Sequence, residues 1–260
     1  MKKYLRTRWK NKLPYVMSKD QLLKLLDYTD DIKIAMMIFV GVFFGLRISE
    51  MVRLKMEDID LDCSNFGELI IRDAKNPKRF QTGYGKDRIV PINKMFLHIF
   101  RKWKNLNSKN KYLFFERGTI DVNSAKRQFE KKFHACLKKA GLAEVDFFQQ
   151  DGKPRYRYHL HTLRHVCGTN LYRAGMDLYQ IKEWLGHAHI ETTQIYCELA
   201  KDDLAAASQR AYAYPKSRVT QVIEPKIEVK YNSESLKLQN ENLRLVQELI
   251  GLKARPIIER

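Results

Sequence analysis

Hydrophobic and polar positions along much of this chain alternate with the period of an α-helix. Residues 18–28 place leucines on one face, and Ser18 with Gln21 three residues later has the spacing of a capping box. Residues 32–46 are almost uniformly apolar, which predicts a buried helix. This stretch is too short for a membrane span, which takes about 20 residues.

Two short β-prone runs interrupt the helical pattern, at 68–73 and 88–92. Because a loop rich in Lys, Gly and Pro joins them, they predict an antiparallel hairpin. Residues 151–158 are expected to form a basic, aromatic loop. The remaining predicted helices are an amphipathic segment from Arg47 to Leu61 and residues 94–106, 123–140, 163–173, 177–185, 191–196 and 202–211. The expected fold is therefore mainly α with a small antiparallel β-sheet (α+β).

Composition changes divide the chain into three parts. A basic segment at 1–17 precedes a main domain at 18–215, and a tail follows at 216–260. Within the tail, residues 233–252 predict a helix in which Leu238, Leu245 and Leu252 recur every seven residues, as in a short zipper. This helix could drive oligomerisation, or it could pack on its own domain or on a neighbour.

The charge of the chain points to a polyanionic partner. Lys and Arg number 48 against 30 Asp and Glu, which gives a formal net charge of +18 over 260 residues. This excess favours nucleic acid over an anionic membrane or a general polyanion. The four cysteines form no CxxC pair, so neither a zinc site nor a disulfide framework is expected. The basic start lacks the apolar core of a secretory signal, and a cytoplasmic location is expected.

Three segments carry candidate chemistry, in a fixed order: GLRISE around Arg47, HTLRH from His161 to His165, and GHAHIETTQIY from Gly186 to Tyr196. Each is weak alone. Together they resemble the tyrosine recombinase (phage integrase) family, with a Xer-like catalytic domain, over roughly residues 18–212. That resemblance implies the DNA breaking-rejoining fold and a site-specific recombinase or integrase, of the kind found in mobile elements.

The resemblance also implies a role for each residue. Arg47 and Arg164 would clamp the scissile phosphate, since arginine stays protonated and offers a planar fork of donors. His187 would donate a further hydrogen bond. Tyr196 would be the nucleophile, with His161 as the base that takes its proton, because a free phenol has a pKa of about 10. Cleavage would leave a 3′-phosphotyrosyl link, and neither a metal, ATP nor another cofactor is expected.

A hairpin lysine would protonate the leaving oxygen. Lys75 ends the first strand and is preferred, while Lys86 after the turn is the alternative. The basic loop also predicts DNA contacts by Lys78, Arg79, Lys86 and Arg88, although a solvated loop would have the same composition. Glu50 and His165 are expected to support the site through hydrogen bonds.

Several readings stay open at this point. Double-stranded DNA is the expected partner, and the family implies a homo-oligomer, a tetramer on synapsed DNA. A type IB topoisomerase shares the chemistry, and a DNA-binding accessory factor could keep the fold without the activity. Little sequence precedes the catalytic pattern, so three alternatives stay open: the chain is a fragment, it is a single-domain form, or a separate DNA-binding or accessory protein completes the clamp on DNA. Deleting residues 233–260 is expected to weaken assembly on DNA while sparing single-strand cleavage.

Overall fold

The computed structural model describes residues 13–63, 66–72, 87–115 and 121–199. The helices expected at 202–211 and 233–252, and also Lys75, Lys78, Arg79 and Lys86, lie outside these ranges. The described helices are α1 (Lys19–Asp27), α2 (Ile32–Phe44), α3 (Ile48–Arg53), α4 (Lys94–Leu106), α5 (Val122–Lys139), α6 (Leu160–Arg173), α7 (Leu178–Leu185) and α8 (Glu191–Leu199). The described strands are β1 (Ile59–Asp60), β2 (Gly67–Ile71), β3 (Arg88–Ile92), β4 (Val145–Phe148) and β5 (Pro154–Tyr156).

The ends of the first two helices follow from local sequence. At α1 the Ser18 Oγ accepts a hydrogen bond from the Gln21 amide, and the Gln21 side chain accepts one from the Ser18 amide, which confirms the capping box. Helix α2 is buried along most of its length and ends at Gly45, whose φ of 65° lies in the left-handed region. Because this turn ends α2 early, Arg47 enters the site just before α3.

The predicted hairpin is present as the centre of a three-stranded antiparallel sheet in the order β1-β2-β3. Gly67 pairs with Ile92 at one end of the β2–β3 ladder, and Ile71 pairs with Arg88 at the other. The helix predicted from Arg47 to Leu61 is wrong in its second half: α3 ends at Arg53, and Ile59–Asp60 forms the short strand β1, because it pairs with the free edge of β2. The sheet therefore holds Arg88 in register at the start of β3.

The expectation of a loop at 151–158 is wrong in part. Pro154–Tyr156 forms β5 and pairs with β4, with a turn at Gly152 between them, where φ is 77°. A strand of only three residues shows no readable alternation, and its register with β4 shifts between Val145 and Phe147, so the sequence pattern did not reveal the pairing. Helix α6 also begins at Leu160, before the predicted start at 163. The HTLRH segment consequently lies in the first turns of a helix.

Two apolar clusters hold the described residues together. The larger one surrounds α2, where Phe39 packs edge-on against Phe96 at 5.3 Å and Phe44 against Phe100 at 5.4 Å between ring centroids. The smaller one joins α6, α7 and α8 and includes the ring of Tyr196. A mainly α fold with small antiparallel sheets is thus confirmed. Across the described ranges, no helix combines the length and apolarity needed to cross a membrane.

Candidate active site

The three sequence segments meet at the carboxyl end of α7. Successive backbone carbonyls there accept hydrogen bonds from arginines of other elements. Arg164 of α6 donates through Nη2 to the Leu185 carbonyl at 2.5 Å, and Arg47 donates through Nη2 to the Gly186 carbonyl at 3.1 Å. The carboxyl end of a helix carries partial negative charge, which favours cations. The arrangement places two guanidinium groups next to His187.

Arg164 is almost completely buried, with 1% of its surface exposed. Its Nη1 donates to the Gly45 carbonyl at 2.6 Å, so the side chain ties the end of α2 to the end of α7. Desolvation, followed by repulsion from Arg47, lowers the pKa of Arg164 to about 10. The group therefore stays charged at neutral pH. Its buried Nε has no hydrogen-bond partner among the described residues.

Arg47 is held from two sides and remains partly open. Its Nη1 donates to Glu50 Oε1 at 2.8 Å, and its backbone amide donates to Glu50 Oε2 at 2.8 Å. The Arg47 side chain is 30% exposed. Burial raises the pKa of Glu50, but Arg88 and Arg47 outweigh it and bring the value to about 2. Glu50 is thus an anion that orients Arg47, as the sequence predicted for a supporting hydrogen bond.

His161 stands in the first turn of α6, one turn before Arg164. Although His161 is exposed overall, its ring packs edge-on against His165, with 4.8 Å between centroids. Loss of water around the ring, then repulsion by Arg164, lowers the pKa of His161 to about 4. The imidazole is neutral at pH 7 and can accept a proton, which is what a general base requires.

His187 follows the left-handed turn at Gly186 and is buried. Its Nδ1 lies 2.9 Å from Thr193 Oγ1 of α8, and this contact fixes the orientation of the ring. Desolvation and the neighbouring Arg164 lower the pKa of His187 to about 3. The ring is nearly parallel to that of Tyr196, with 6.2 Å between centroids.

Tyr196 is brought to the same place, but its side chain is enclosed, with 1% of the residue exposed. The ring lies over Gly168 of α6, where an added Cβ would overlap it. Burial raises the pKa of the Tyr196 phenol to about 12, although Arg164 acts in the opposite direction. The hydroxyl is therefore neutral at pH 7 and shielded from solvent.

Arg88 does not have the surroundings of a DNA ligand. Its Nη1 and Nη2 donate to both carboxylate oxygens of Glu50, at 3.1 and 2.9 Å, and its Nε donates to the Trp184 carbonyl at 2.9 Å. The side chain is only 9% exposed. The expectation of a phosphate contact arose because the flanking loop is basic. The packing of β3 against α7 turns Arg88 inward instead.

A cleft of about 580 Å³ is lined by Arg47 and His161 together with residues of α5 and of the β4–β5 hairpin. Lys126 and Arg155 add positive charge to the lining, although Lys126 lies 3.8 Å from the Glu130 carboxylate, which also lines the cleft. In the described part of the chain, no three His, Cys, Asp or Glu side chains are grouped so that they could hold a metal ion.

Sequence reasoning missed two residues of the site. Thr193 orients His187, and its signal was the paired threonine in the GHAHIETTQIY segment. The inward role of Arg88 had no such signal, because nothing in the local sequence separates a buried arginine from a DNA-facing one. Lys75 and its alternative Lys86 fall outside the described residues, so the identity of the general acid stays a prediction.

Comparison with known proteins places this geometry in context. The model of the Phage integrase family matches residues 15–203. Tyrosine recombinase XerA of Pyrococcus horikoshii is 32% identical over 204 residues, covering 76% of this chain and 62% of the relative. Tyrosine recombinase XerH of Campylobacter jejuni is 31% identical over 210 residues, covering 77% of this chain and 52% of the relative. The chain thus spans between half and two thirds of the length of these curated relatives.

Solved structures give the same result. The crystal structure of XerA recombinase superimposes with a TM-score of 0.57 at 25% identity, over 78% of this chain and 68% of that one. The XerH site-specific recombinase bound to a palindromic difH substrate, in a post-cleavage complex, superimposes with a TM-score of 0.53 at 25% identity, over 76% of this chain and 54% of that one.

Proposed function

The chain belongs to the phage integrase family, and we propose that it is a site-specific DNA recombinase that cuts and rejoins DNA through Tyr196. The observation that carries this proposal is the convergence of Arg47, Arg164 and His187 at the end of α7, next to Tyr196 and with His161 one helical turn from Arg164. A phosphodiester in cleavage needs positive donors, a neutral base and a nucleophile in one place, and these residues supply each of them.

The reaction is a displacement at phosphorus. The Tyr196 oxygen attacks the scissile phosphate and forms a phosphorus–oxygen bond, while the bond to the 5′ oxygen breaks. Arg47 and Arg164 stabilise the charge that grows on the non-bridging oxygens, since preorganised donors act most strongly on developing charge. A 3′-phosphotyrosyl link remains, and a 5′ hydroxyl reverses the step. The link retains the phosphodiester, so rejoining needs neither ATP nor a metal.

Two groups move protons in this reaction, one as the base for the phenol and one as the acid for the leaving oxygen. His161 accepts the phenol proton: it is neutral at pH 7, and a phosphate bound next to it would raise its pKa from about 4 towards the value that an effective base needs. A lysine of the β2–β3 hairpin gives a proton to the leaving 5′ oxygen, and we propose Lys75 for this role, with Lys86 as the alternative. A substrate with a 5′ sulfur at the scissile position tests the choice, because a thiolate leaves without protonation. Alanine at the true acid should then cost much less activity than it does on the oxygen substrate.

The central test is a nicked duplex that traps the covalent intermediate. Wild type is expected to form a protein–DNA adduct visible by denaturing electrophoresis, and Tyr196→Phe is expected to form none. Tyr179→Phe is the matched control, since Tyr179 is an exposed tyrosine, 71% accessible, on the neighbouring helix α7. An adduct that persists in Tyr196→Phe would falsify the nucleophile assignment. The absence of an adduct with wild type on a cognate site would remove the proposed activity itself.

We further propose that the chain works as a homo-oligomer on synapsed DNA in the cytoplasm, with residues 233–252 joining the protomers. The support is the family resemblance and the seven-residue spacing of leucines in the tail. Deletion of residues 233–260 should reduce the size of the DNA-bound complex in analytical ultracentrifugation and leave adduct formation on a nicked duplex intact. Complexes of unchanged size would exclude this role for the tail.

A further inference from the structure

Three arginines from three separate elements cover the end of α7. Successive carbonyl oxygens each accept from a different guanidinium group: Trp184 from Arg88, Leu185 from Arg164 and Gly186 from Arg47. The first of these arginines has no place in the phosphate chemistry described above, yet it is as firmly bound as the other two. Phosphate binding therefore does not account for the position of Arg88.

Counting donors separates Arg88 from the other two. A guanidinium offers five N–H groups. Arg47 and Arg164 each use two of their nitrogen atoms on the protein contacts described above. Arg88 uses all three of its nitrogens, on Glu50 and Trp184, and its side chain is 9% exposed against 30% for Arg47. Arg164 is less exposed still, at 1%, but its Nε has no hydrogen-bond partner among the described residues, so it differs from Arg88 in its unused donor and not in its exposure. Arg88 is thus occupied internally, while Arg47 keeps donors and an open face for a phosphate.

Glu50 connects the two arginines. Its Oε1 accepts from both Arg88 Nη1 and Arg47 Nη1, and its Oε2 accepts from Arg88 Nη2 and the Arg47 amide. Without Arg88, the carboxylate would keep only its two contacts to Arg47, one to the side chain and one to the backbone amide, and no group outside Arg47 would fix its plane. The second, bidentate arginine fixes the plane of the carboxylate and hence the direction from which Arg47 is held.

The turn before His187 is shaped around the same side chain. Gly186 has a φ of 66°, and a Cβ added there would lie 2.8 Å from Arg88 Nη1. Arg88 therefore contacts the turn that carries His187 and, through Glu50, the residue that carries the phosphate-facing guanidinium. One side chain of β3 sets the spacing between two groups that must reach the same phosphate.

We propose that Arg88 is a positioning residue for strand cleavage, which acts through Glu50 on Arg47 and through the Gly186 turn on His187 rather than by contacting DNA. This inference rests on the proposed function for its catalytic consequence. The structural part of it, that Arg88 fixes Glu50, can be tested without any reaction.

The kinetic experiment compares Arg88→Met with Arg101→Met. Arg101 is a surface arginine, 53% exposed, that pairs with Asp62 away from the site, so its loss controls for the removal of one positive charge. We expect Arg88→Met to bind duplex DNA with nearly unchanged affinity and salt dependence. Its rate of adduct formation at saturating DNA should fall on the order of 100-fold, because small displacements of catalytic groups cost this much. Arg101→Met should cleave at the wild-type rate.

A double-mutant cycle tests whether Arg88 acts on Arg47 through Glu50. If Arg88 acts through Glu50, then Arg88→Met combined with Glu50→Gln should be little worse than the more damaging single variant, since both remove the same support. Arg88→Lys keeps the charge but lacks the planar fork, and it should recover only part of the rate. It also serves as the folded variant if Arg88→Met loses its native circular dichroism.

Two results would overturn the inference. If Arg88→Met weakens DNA binding, lowers the salt slope by about 1 and cleaves normally at saturation, then Arg88 is a phosphate ligand. If it cleaves and binds like wild type, then it has no role in the reaction.

Titration of the Glu50 carboxyl by NMR tests the contact with Arg88 without measuring any reaction. The Glu50 pKa should rise in Arg88→Met and stay at about 2 in Arg101→Met. An unchanged Glu50 pKa overturns the positioning role even if wild type proves to cut no DNA. A raised pKa together with an inactive wild type would instead leave the contact intact and reject the proposed function.

Discussion

Tyr196, the proposed nucleophile, is enclosed by its surroundings. Its ring packs on Gly168 and lies nearly parallel to the His187 ring, and burial raises the pKa of its phenol to about 12. Attack on a phosphate needs an accessible oxygen that can lose its proton. Moving the phenol towards Arg47 and Arg164 would expose the oxygen and lower its pKa, because nearby cations stabilise the phenolate.

Replacement of Gly168 tests how tightly this pocket holds the tyrosine. Gly168→Ala should destabilise the fold by about 1–3 kcal/mol, because the new methyl group overlaps the Tyr196 ring, and this outweighs the gain in helix propensity of about 1 kcal/mol. Urea unfolding measures the change. In a Tyr196→Ala background the same substitution should be neutral or stabilising. An equal loss of unfolding free energy in both backgrounds would show that overlap with the Tyr196 ring does not cause the destabilisation.

The histidines around the site make stability depend on pH. Packing and neighbouring cations lower the pKa of His161 to about 4 and those of His165 and His187 to about 3. In the unfolded chain a histidine has a pKa of about 6.5. Below that pH the unfolded chain binds more protons than the folded one, so the free energy of unfolding falls as the pH falls towards the folded pKa values.

Urea unfolding at pH 7, 6 and 5 should therefore show a steady loss of stability. Each histidine that stays neutral in the fold contributes up to about 1.4 kcal/mol per pH unit in this window. His165→Gln should reduce the slope, because it removes one such group. A slope that is the same in wild type and His165→Gln would contradict this account.

At the scale of elements, the end of α7 is the point on which the site depends. Helices α2, α3, α6 and α8 and strand β3 all send a backbone or side-chain group to it. The left-handed turn at Gly186 leaves three carbonyls unpaired within the helix, and the arginines satisfy them. Removing Arg164 would leave buried carbonyls without donors, at about 1–3 kcal/mol each. Arg164→Lys is consequently a better probe of catalysis than Arg164→Ala.

Helix α8 contributes Thr193 as well as the nucleophile. Thr193→Val keeps the shape of the side chain but removes the contact with His187 Nδ1. We expect adduct formation to slow by about 3- to 10-fold, which corresponds to one neutral hydrogen bond, with DNA affinity unchanged. Thr193→Ser retains the hydroxyl and should cleave near the wild-type rate. If serine and valine behave alike, the hydroxyl does not orient the histidine.

At the scale of the whole molecule, net charge is expected to set the strength of the proposed binding to DNA. A net charge of +18 implies that phosphate contacts and counterion release dominate the affinity for DNA. Fluorescence anisotropy with a labelled duplex should show the association constant falling by on the order of 1,000-fold or more between about 50 and 200 mM salt, the loss expected for several phosphate contacts. An affinity that barely changes over this range would mean that few phosphates are neutralised.

The order of Arg47, HTLRH and Tyr196, the capping box at Ser18 and the hairpin strands were readable in the sequence, because each depends on neighbours a few positions away. Local spacing also identified the family, since a catalytic set needs particular residue types in a particular order. These features do not depend on how distant segments of the chain pack against one another.

Contacts between distant segments decided the rest. Arg47 and Arg88 both bind Glu50, but the packing of β3 against α7 leaves the Arg88 side chain only 9% exposed, whereas the Arg47 side chain is 30% exposed. The burial of Tyr196 likewise depends on Gly168 of another helix. The sequence alone predicted Arg47, His161, Arg164, His187 and Tyr196 as members of one site, but it indicated neither the contact of Thr193 with His187 nor the inward position of Arg88. The tertiary structure decided which donors remain open to a phosphate, because burial and hydrogen bonding are settled by residues far apart along the chain.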